Sequence, residues 1–196
     1  MMKNEAKAPA SDFEYFYSEP YKGIVINKYT GNSPNVYIPD EIEGKPVVRI
    51  NDKSFHGSSI ESVYIPESAT EIGDSAFFLC KELENLTLPG NAHISAQAFY
   101  GCVKLKSITF LEIPSQVHAQ LKRVSVGNEA FCDCRSLESI ELHGITGLFF
   151  MTGAFKGCRK LKSITGIPER SNINKSAFDE CEALSDEVKK LATQNR

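Results

Sequence analysis

No apolar stretch in this chain of 196 residues approaches the ~20 residues that a membrane-crossing helix requires. The opening "MMKNEAKAPASDFEYF" lacks the apolar core of a secretory signal, and residues 1–12 read instead as a polar, flexible leader. Basic runs are missing as well. With a formal charge of −3, the chain offers no general attraction to a polyanion, which argues against nucleic acid and anionic membrane as partners. There is no Gly-rich phosphate loop and no nucleophile elbow. The four histidines, His56, His93, His118 and His143, stand in unrelated contexts with no recurring carboxylate beside them. Nothing therefore converges as the acids, bases and nucleophiles of an active site must. The reading is a non-enzyme, with no cofactor and no metal.

What is present is a period. Composition is that of a folded domain, 41% hydrophobic and 24% charged, too apolar for disorder. Within it, "SAFFLC", "QAFYGC", "GAFKGC" and "SAFDEC" recur. The phenylalanines Phe55, Phe77, Phe99, Phe131, Phe155 and Phe178 are spaced 22, 22, 32, 24 and 23 residues apart. A small residue precedes each, and an apolar one (Ile50, Ile72, Ile94, Val126, Phe150, Ile173) stands five places before it. Three places after come Ser58, Cys80, Cys102, Cys134, Cys158 and Cys181. A few residues on, segments such as "IESVYI", "LENLTL" and "LKSITF" alternate like short half-buried strands. Pro39, Pro66 and Pro89 follow three of them, where a missing N–H ends a strand ladder. The rest of each unit turns through polar and Gly positions and passes through Ala-Phe as a short helical or 3₁₀ segment. A single unit cannot bury its apolar side, whereas stacked units share one continuous core.

The cysteines fit that core better than they fit chemistry. A structural zinc site needs close pairs such as C-x₂-C. Here the nearest pair is Cys132 and Cys134, with His143 nine residues beyond. One Cys per unit, with Ser58 in the same column, reads as a buried ladder of small, weakly polar side chains. Disulfides are the second alternative and a metal site the third. Cys132 breaks the register and is the thiol expected to be exposed and reactive, if any is.

These columns resemble the BspA-type leucine-rich repeat of bacterial surface proteins, close to L-x-x-I-x-L-P, then a hydrophobic and an Ile, then A-F-x-x-C. "IESVYIPESATEIGDSAFFLC" follows it almost letter for letter, "LESIELHGITGLFFMTGAFKGC" in outline, and the likeness spans about residues 22–184. The resemblance implies a right-handed leucine-rich-repeat solenoid of about six units, an α/β-type fold with a parallel sheet on its concave side, and a role in adhesion to host matrix or other cells. It brings no active-site residues. Departures are the missing Cys of the first unit, His143-Gly144 in place of Pro, Gly166 in a strand column, and an insertion near 111–120.

Domain organisation follows. Residues 13–34 read as an N-terminal β-hairpin cap, with "FEYFY" and "GIVINKY" as its strands and Phe13, Tyr15, Phe16, Tyr17, Tyr21 and Tyr29 mostly packing as the cap. Residues 35–183 form the solenoid. Residues 184–196 are expected to close it as an amphipathic helix, with Leu184, Val188 and Leu191 on one face and Ser185 as its N-cap. Outward strand positions give one polar column, Asn35, Ser62, Asn85, Ser107, Ser139, Ser163, and a second, Tyr37, Tyr64, Thr87, Thr109, Glu141, Thr165. From these, Tyr37, Tyr64, Asn85, Thr87, Thr109 and Glu141 are the candidate ligand contacts, for a protein or a glycan. Six strands at ~4.8 Å and five residues at ~3.3 Å make a face of about 500 Å², below the roughly 800 Å² per partner of a standard interface. The chain is expected to be a monomer. Its location is the cell surface by resemblance, or the cytoplasm if this chain is the whole native product.

Overall fold

The computed structural model describes residues 6–112 and 122–194. A 3₁₀ turn (Ala10–Asp12) leads into the antiparallel hairpin of β1 (Phe13–Ser18) and β2 (Gly23–Tyr29). Next come β3 (Asn35–Tyr37), β4 (Glu41–Ile42) and β5 (Lys45–Ile50). The later units each give two strands: β6 (Ser62–Tyr64) with β7 (Glu71–Ile72), and β8 (Asn85–Leu88) with β9 (His93–Ile94). β10 (Ser107–Phe110) and β11 (Arg123–Val126) follow, then β12 (Ser139–Glu141) and β13 (Gly147–Phe150). Last are β14 (Ser163–Thr165), β15 (Ser171–Ile173) and the helix α1 (Asp186–Gln194).

Two sheets result. β3, β6, β8, β10, β12 and β14 pair in parallel as a six-stranded sheet. The nine-stranded sheet runs from β1 through β2, β5, β7, β9, β11 and β13 to β15, with β4 beside β5. In the first, Val36, Val63, Leu86, Ile108, Ile140 and Ile164 are in register and buried. In the second, Ile26, Ile50, Ile72, Ile94, Val126, Phe150 and Ile173 are. The core lies between these two rows. The sequence columns show the first sheet plainly, while the second was expected only as turn.

The Ala-Phe segments form the third side of each coil. Bonds three residues apart, such as Ala76 N to Gly73 O, Phe78 N to Ser75 O and Cys80 N to Phe77 O, are 3₁₀-like. They do not merge into a helix, because Ser75 and Leu79 have φ of 55° and 56° and reverse the chain on either side of Phe77. Freed backbone groups pair between coils instead, as in Phe77 N to Ala98 O at 2.7 Å and Leu79 N to Tyr100 O at 2.8 Å. The phenyl rings stack along this side with centroids 4.6 Å apart for Phe55–Phe77, 4.9 Å for Phe77–Phe99 and Phe99–Phe131, and 5.2 Å for Phe131–Phe155. Burying each ring contributes about 1.5–3 kcal/mol. Tyr29 of the hairpin joins the stack 5.1 Å from Phe55, and Phe13 packs 5.6 Å from Tyr29.

The five in-register cysteines are buried beside that stack, and each thiol donates backwards to the Phe carbonyl of the preceding coil. The Sγ···O distances are 3.0 Å for Cys80 to Phe55, 3.3 Å for Cys102 to Phe77 and for Cys134 to Phe99, and 3.1 Å for Cys158 to Phe131 and Cys181 to Phe155. The first unit has no described coil offering a Phe carbonyl before it, and there Ser58 meets Cys80 at 3.4 Å. All six cysteines are buried and none is bridged to another, and the five in register stand one to a coil along the column.

Several expectations are refined. Of the leader, residues 6–12 lie against the first coil: Ala8 N donates to Tyr37 O at 2.8 Å and Lys7 pairs with Asp40. Edge pairing with β3 supplies the order that a polar composition does not advertise. Cys132 is not an exposed thiol, being 6% accessible, with desolvation and the Asp133 and Glu129 carboxylates pushing its pKa up to about 11. Gly166 has φ +74°, and a Cβ there would lie 1.8 Å from Leu142 O, so close backbone approach explains that departure from the repeat. Helix α1 starts after Ser185, whose carbonyl accepts from Lys189 N at 3.2 Å. Leu184 and Ala192 are buried and Val188 and Leu191 partly so. Most of the inserted segment falls outside the described residues.

Candidate functional site

The outward columns of the six-stranded sheet form as the alternation of its strands requires: when Val63 points in, Ser62 and Tyr64 point out. Asn35, Ser62, Asn85, Ser107, Ser139 and Ser163 are cross-strand neighbours, and so are Tyr37, Tyr64, Thr87, Thr109, Glu141 and Thr165. They are not equally accessible. Tyr37 and Tyr64 stack face to face, 4.0 Å between centroids and 12° between planes. Tyr64 and its neighbour Thr87 are only 8% exposed each, so both are less open than their columns suggested. Burial, with the adjacent Tyr37 hydroxyl, pushes the Tyr64 phenol well above its ordinary range. Tyr37 is half-buried, and Asn85, Thr109 and Glu141 are exposed. Ser62 is buried and its Oγ donates to Asn35 Oδ1 at 2.6 Å. The polar ladder is thus partly a device for pairing strands and partly a surface, with its open portion toward β8–β14.

The front aromatics divide. Phe13 and Tyr29 extend the core stack, and Tyr15 donates its hydroxyl to Glu43 at 3.1 Å. Phe16, Tyr17 and Tyr21 are 47%, 38% and 46% exposed. Lys45 Nζ sits 3.9 Å above the Tyr17 ring and Arg49 5.6 Å from that of Tyr21. These three were expected mostly to pack. Hairpin alternation tells which face a residue takes but not whether another element covers it.

Among the described residues no three His, Cys, Asp or Glu gather where they would hold a metal, and no buried side-chain N or O is left without a partner. Of the histidines, His56 stacks on Phe78 at 5.2 Å and His143 Nε2 lies 3.6 Å from Glu141. His93 stands exposed on β9, and His118 lies outside the described residues. No helix among the described residues is long and apolar enough to cross a membrane.

Coils of two short parallel strands and a phenylalanine turn, stacked in one direction, define a leucine-rich-repeat solenoid. The family model for the BspA type Leucine rich repeat region matches in six copies over residues 48–185, and the chain belongs to that family. The chain is similar to the T. pallidum Leucine Rich Repeat protein (TpLRR) in its crystal structure, with 28% identity, TM-score 0.63, and coverage of 97% of this chain and 98% of that one. It is also similar to a leucine-rich repeat protein from Bacteroides ovatus, at 28% identity and TM-score 0.52 over 89% of this chain and 51% of that one. Another from Bacteroides capillosus, at 24% identity and TM-score 0.51, covers 69% of this chain and 97% of that one and shows the fold alone. No curated protein matches the chain. Repeats of this family are generally protein-interaction modules without catalytic activity.

Proposed function

We propose that this protein is a non-catalytic binding module that takes a protein or glycan ligand on the six-stranded sheet, in the service of adhesion at a bacterial surface. The observation that carries this is the in-register outward column running from the half-buried Tyr37 to the exposed Thr109, Glu141 and Thr165. Strands of three or four residues make that face too narrow for a standard interface of about 800 Å² per partner. A ligand therefore runs along the solenoid, contacting several coils, or uses the rim as well.

The test is a pull-down against matrix proteins and a glycan array, run with the wild type and with Tyr37→Ala/Thr109→Arg. Capture by the wild type and loss of at least tenfold in the variant is the expected result. Equal capture by both would move the ligand to another surface. Failure of the wild type to bind anything in either assay would leave a spacer within a larger protein as the better description. A second reading, a scaffold inside the cell, is favoured by the six unpaired thiols, since reduced cysteines are the rule in reducing compartments. Localisation of the native protein by surface protease shaving separates the two.

A further inference from the structure

The outer face of the nine-stranded sheet carries a hollow of about 760 Å³, lined among the described residues by Arg123, Gly147, Phe149, Glu169, Arg170 and Asn172, with two hydroxyl residues beside them. Its floor is Gly147, cross-strand neighbour of Arg123 on β11. On the other side Leu148 N donates to Arg170 O at 3.2 Å. The two arginines thus flank β13, their Cα atoms two strand spacings, about 10 Å, apart. Nothing in the backbone demands glycine here, since Gly147 has no positive φ. Glycine inside a strand weakens it and often marks close approach of another group. In this protein that group is Arg123, whose Cγ, Cδ and Nε lie 3.2, 3.6 and 3.6 Å from the position a Cβ would take. The missing side chain lets the arginine lie across β13 toward Arg170.

The charge pattern is the second observation. Five arginines fall in the described residues. Arg49 pairs with Asp52 at 3.0 Å, Arg135 with Asp133 at 3.1 Å and Arg159 with Glu180 at 3.9 Å. Arg123 and Arg170 have no side-chain partner among the described residues, and both open on this one hollow. Glu169 on the rim forms no ion pair with either, and its charge opposes an anion from that side. Between the guanidiniums and one step along the strands stand the half-buried ring of Phe149 and, opposite it on β15, Asn172. Paired guanidiniums recognise a planar oxyanion through two-pronged hydrogen bonds. An aromatic face and an amide beside them suit the C–H face and hydroxyls of a sugar ring.

We propose that this hollow is a binding site for an acidic sugar: a uronic or similar carboxylated residue of a glycan, its carboxylate held by Arg123 and Arg170 and its ring against Phe149. Glu169 then serves as acceptor for ring hydroxyls. The site lies on the opposite sheet from Tyr37 and Thr109 and does not depend on the ligand proposed there.

The test is ¹H–¹⁵N NMR titration of the whole chain with tetragalacturonate, with its methyl ester as the uncharged control. The expected result is saturable shifts of the Gly147 and Asn172 signals and both arginine Nε–H groups with the acid, and affinity weaker by at least tenfold for the ester. R123Q and R170Q should each weaken the acid about tenfold while the thermal melt stays that of wild type. Gly147→Val, which drives Arg123 off the strand, should do the same. Equal binding of acid and ester, no saturable shift, or full binding by R123Q/R170Q would overturn the assignment. Sulfate or a peptide with a free C-terminal carboxylate moving the same signals at least as strongly as the sugar acid would overturn it as well. Loss of array binding in the Tyr37/Thr109 variant with this titration unchanged would show that the two faces are independent.

Discussion

A buried thiol that donates to a backbone carbonyl is a modest interaction, and here it occurs five times in one line. Each Phe carbonyl concerned already accepts within its own turn, as Phe77 O does from Cys80 N at 3.2 Å. Its second lone pair would go unused without the next coil's Cys, which at 3.3 Å for Cys102 to Phe77 reaches it without distorting the turn. Cys102→Ala removes the donor and leaves a small void, and is expected to cost about 1–3 kcal/mol in urea unfolding. Cys102→Ser keeps a donor, as Ser58 does in the first unit, and should cost less. Phe99→Ala opens the ring stack and should cost about 3–5 kcal/mol, the largest effect of any single truncation in the array. Gly57 isolates backbone conformation from packing, because its φ is +67° and a Cβ would meet nothing within 4 Å. Gly57→Ala should therefore cost about 1 kcal/mol, from the left-handed backbone alone. At this scale the sequence was informative. Phe and Cys columns repeat because the same contact recurs, although the direction of the thiol bond was invisible without the preceding coil's carbonyl.

Among elements, the two sheets differ in how they show themselves. β8 and β10 have four residues each, enough for alternation to be read. β7 and β9 have two each, and two residues carry no periodicity, so Ile72 and Ile94 looked like apolar turn positions. The ends were legible for the opposite reason, since a hairpin and a helix each have a pattern of their own. Ser185 Oγ accepts from Val188 N at 3.5 Å, a long capping bond. Ser185→Ala is expected to lower stability by about 0.5–1 kcal/mol, read as a lower thermal midpoint with far-UV signal otherwise unchanged. Neither candidate site could be recovered fully from the sequence. Tyr64 looked as accessible as Tyr37 until their stacking was seen, and Arg123 and Arg170 stand 47 positions apart in chain numbering, in different units.

For the molecule as a whole, each parallel strand among the described residues pairs with strands of the adjacent coils, so stability is close to a sum over coils and their interfaces. Exposed ion pairs between successive units, Lys106 with Glu84 at 2.6 Å and Lys162 with Glu138 at 3.1 Å, add little to it. The thiols add a pH dependence. Burial pushes Cys132 from an ordinary 9.0 to about 11 and Cys181 from 9.0 to about 12, and raises Cys80, Cys102 and Cys134 too. Unfolded thiols ionise above about pH 9 while the folded ones keep their protons, so the unfolded state binds fewer protons and stability falls as pH rises. The expected outcome is a thermal midpoint level from neutrality to about pH 9 that drops steadily between 9 and 11. Replacing Cys132 with Ser should flatten part of that drop.

The row of reduced sulfurs has one more consequence, for the order of events during biogenesis. Native packing shields every thiol, so an oxidant meets all six together only before the coils have closed. Refolding from denaturant under a glutathione redox buffer should trap scrambled, intramolecularly bridged species that never regain the far-UV spectrum of the native chain. Under dithiothreitol the same refolding should run to completion, and the finished protein should then withstand transfer to air.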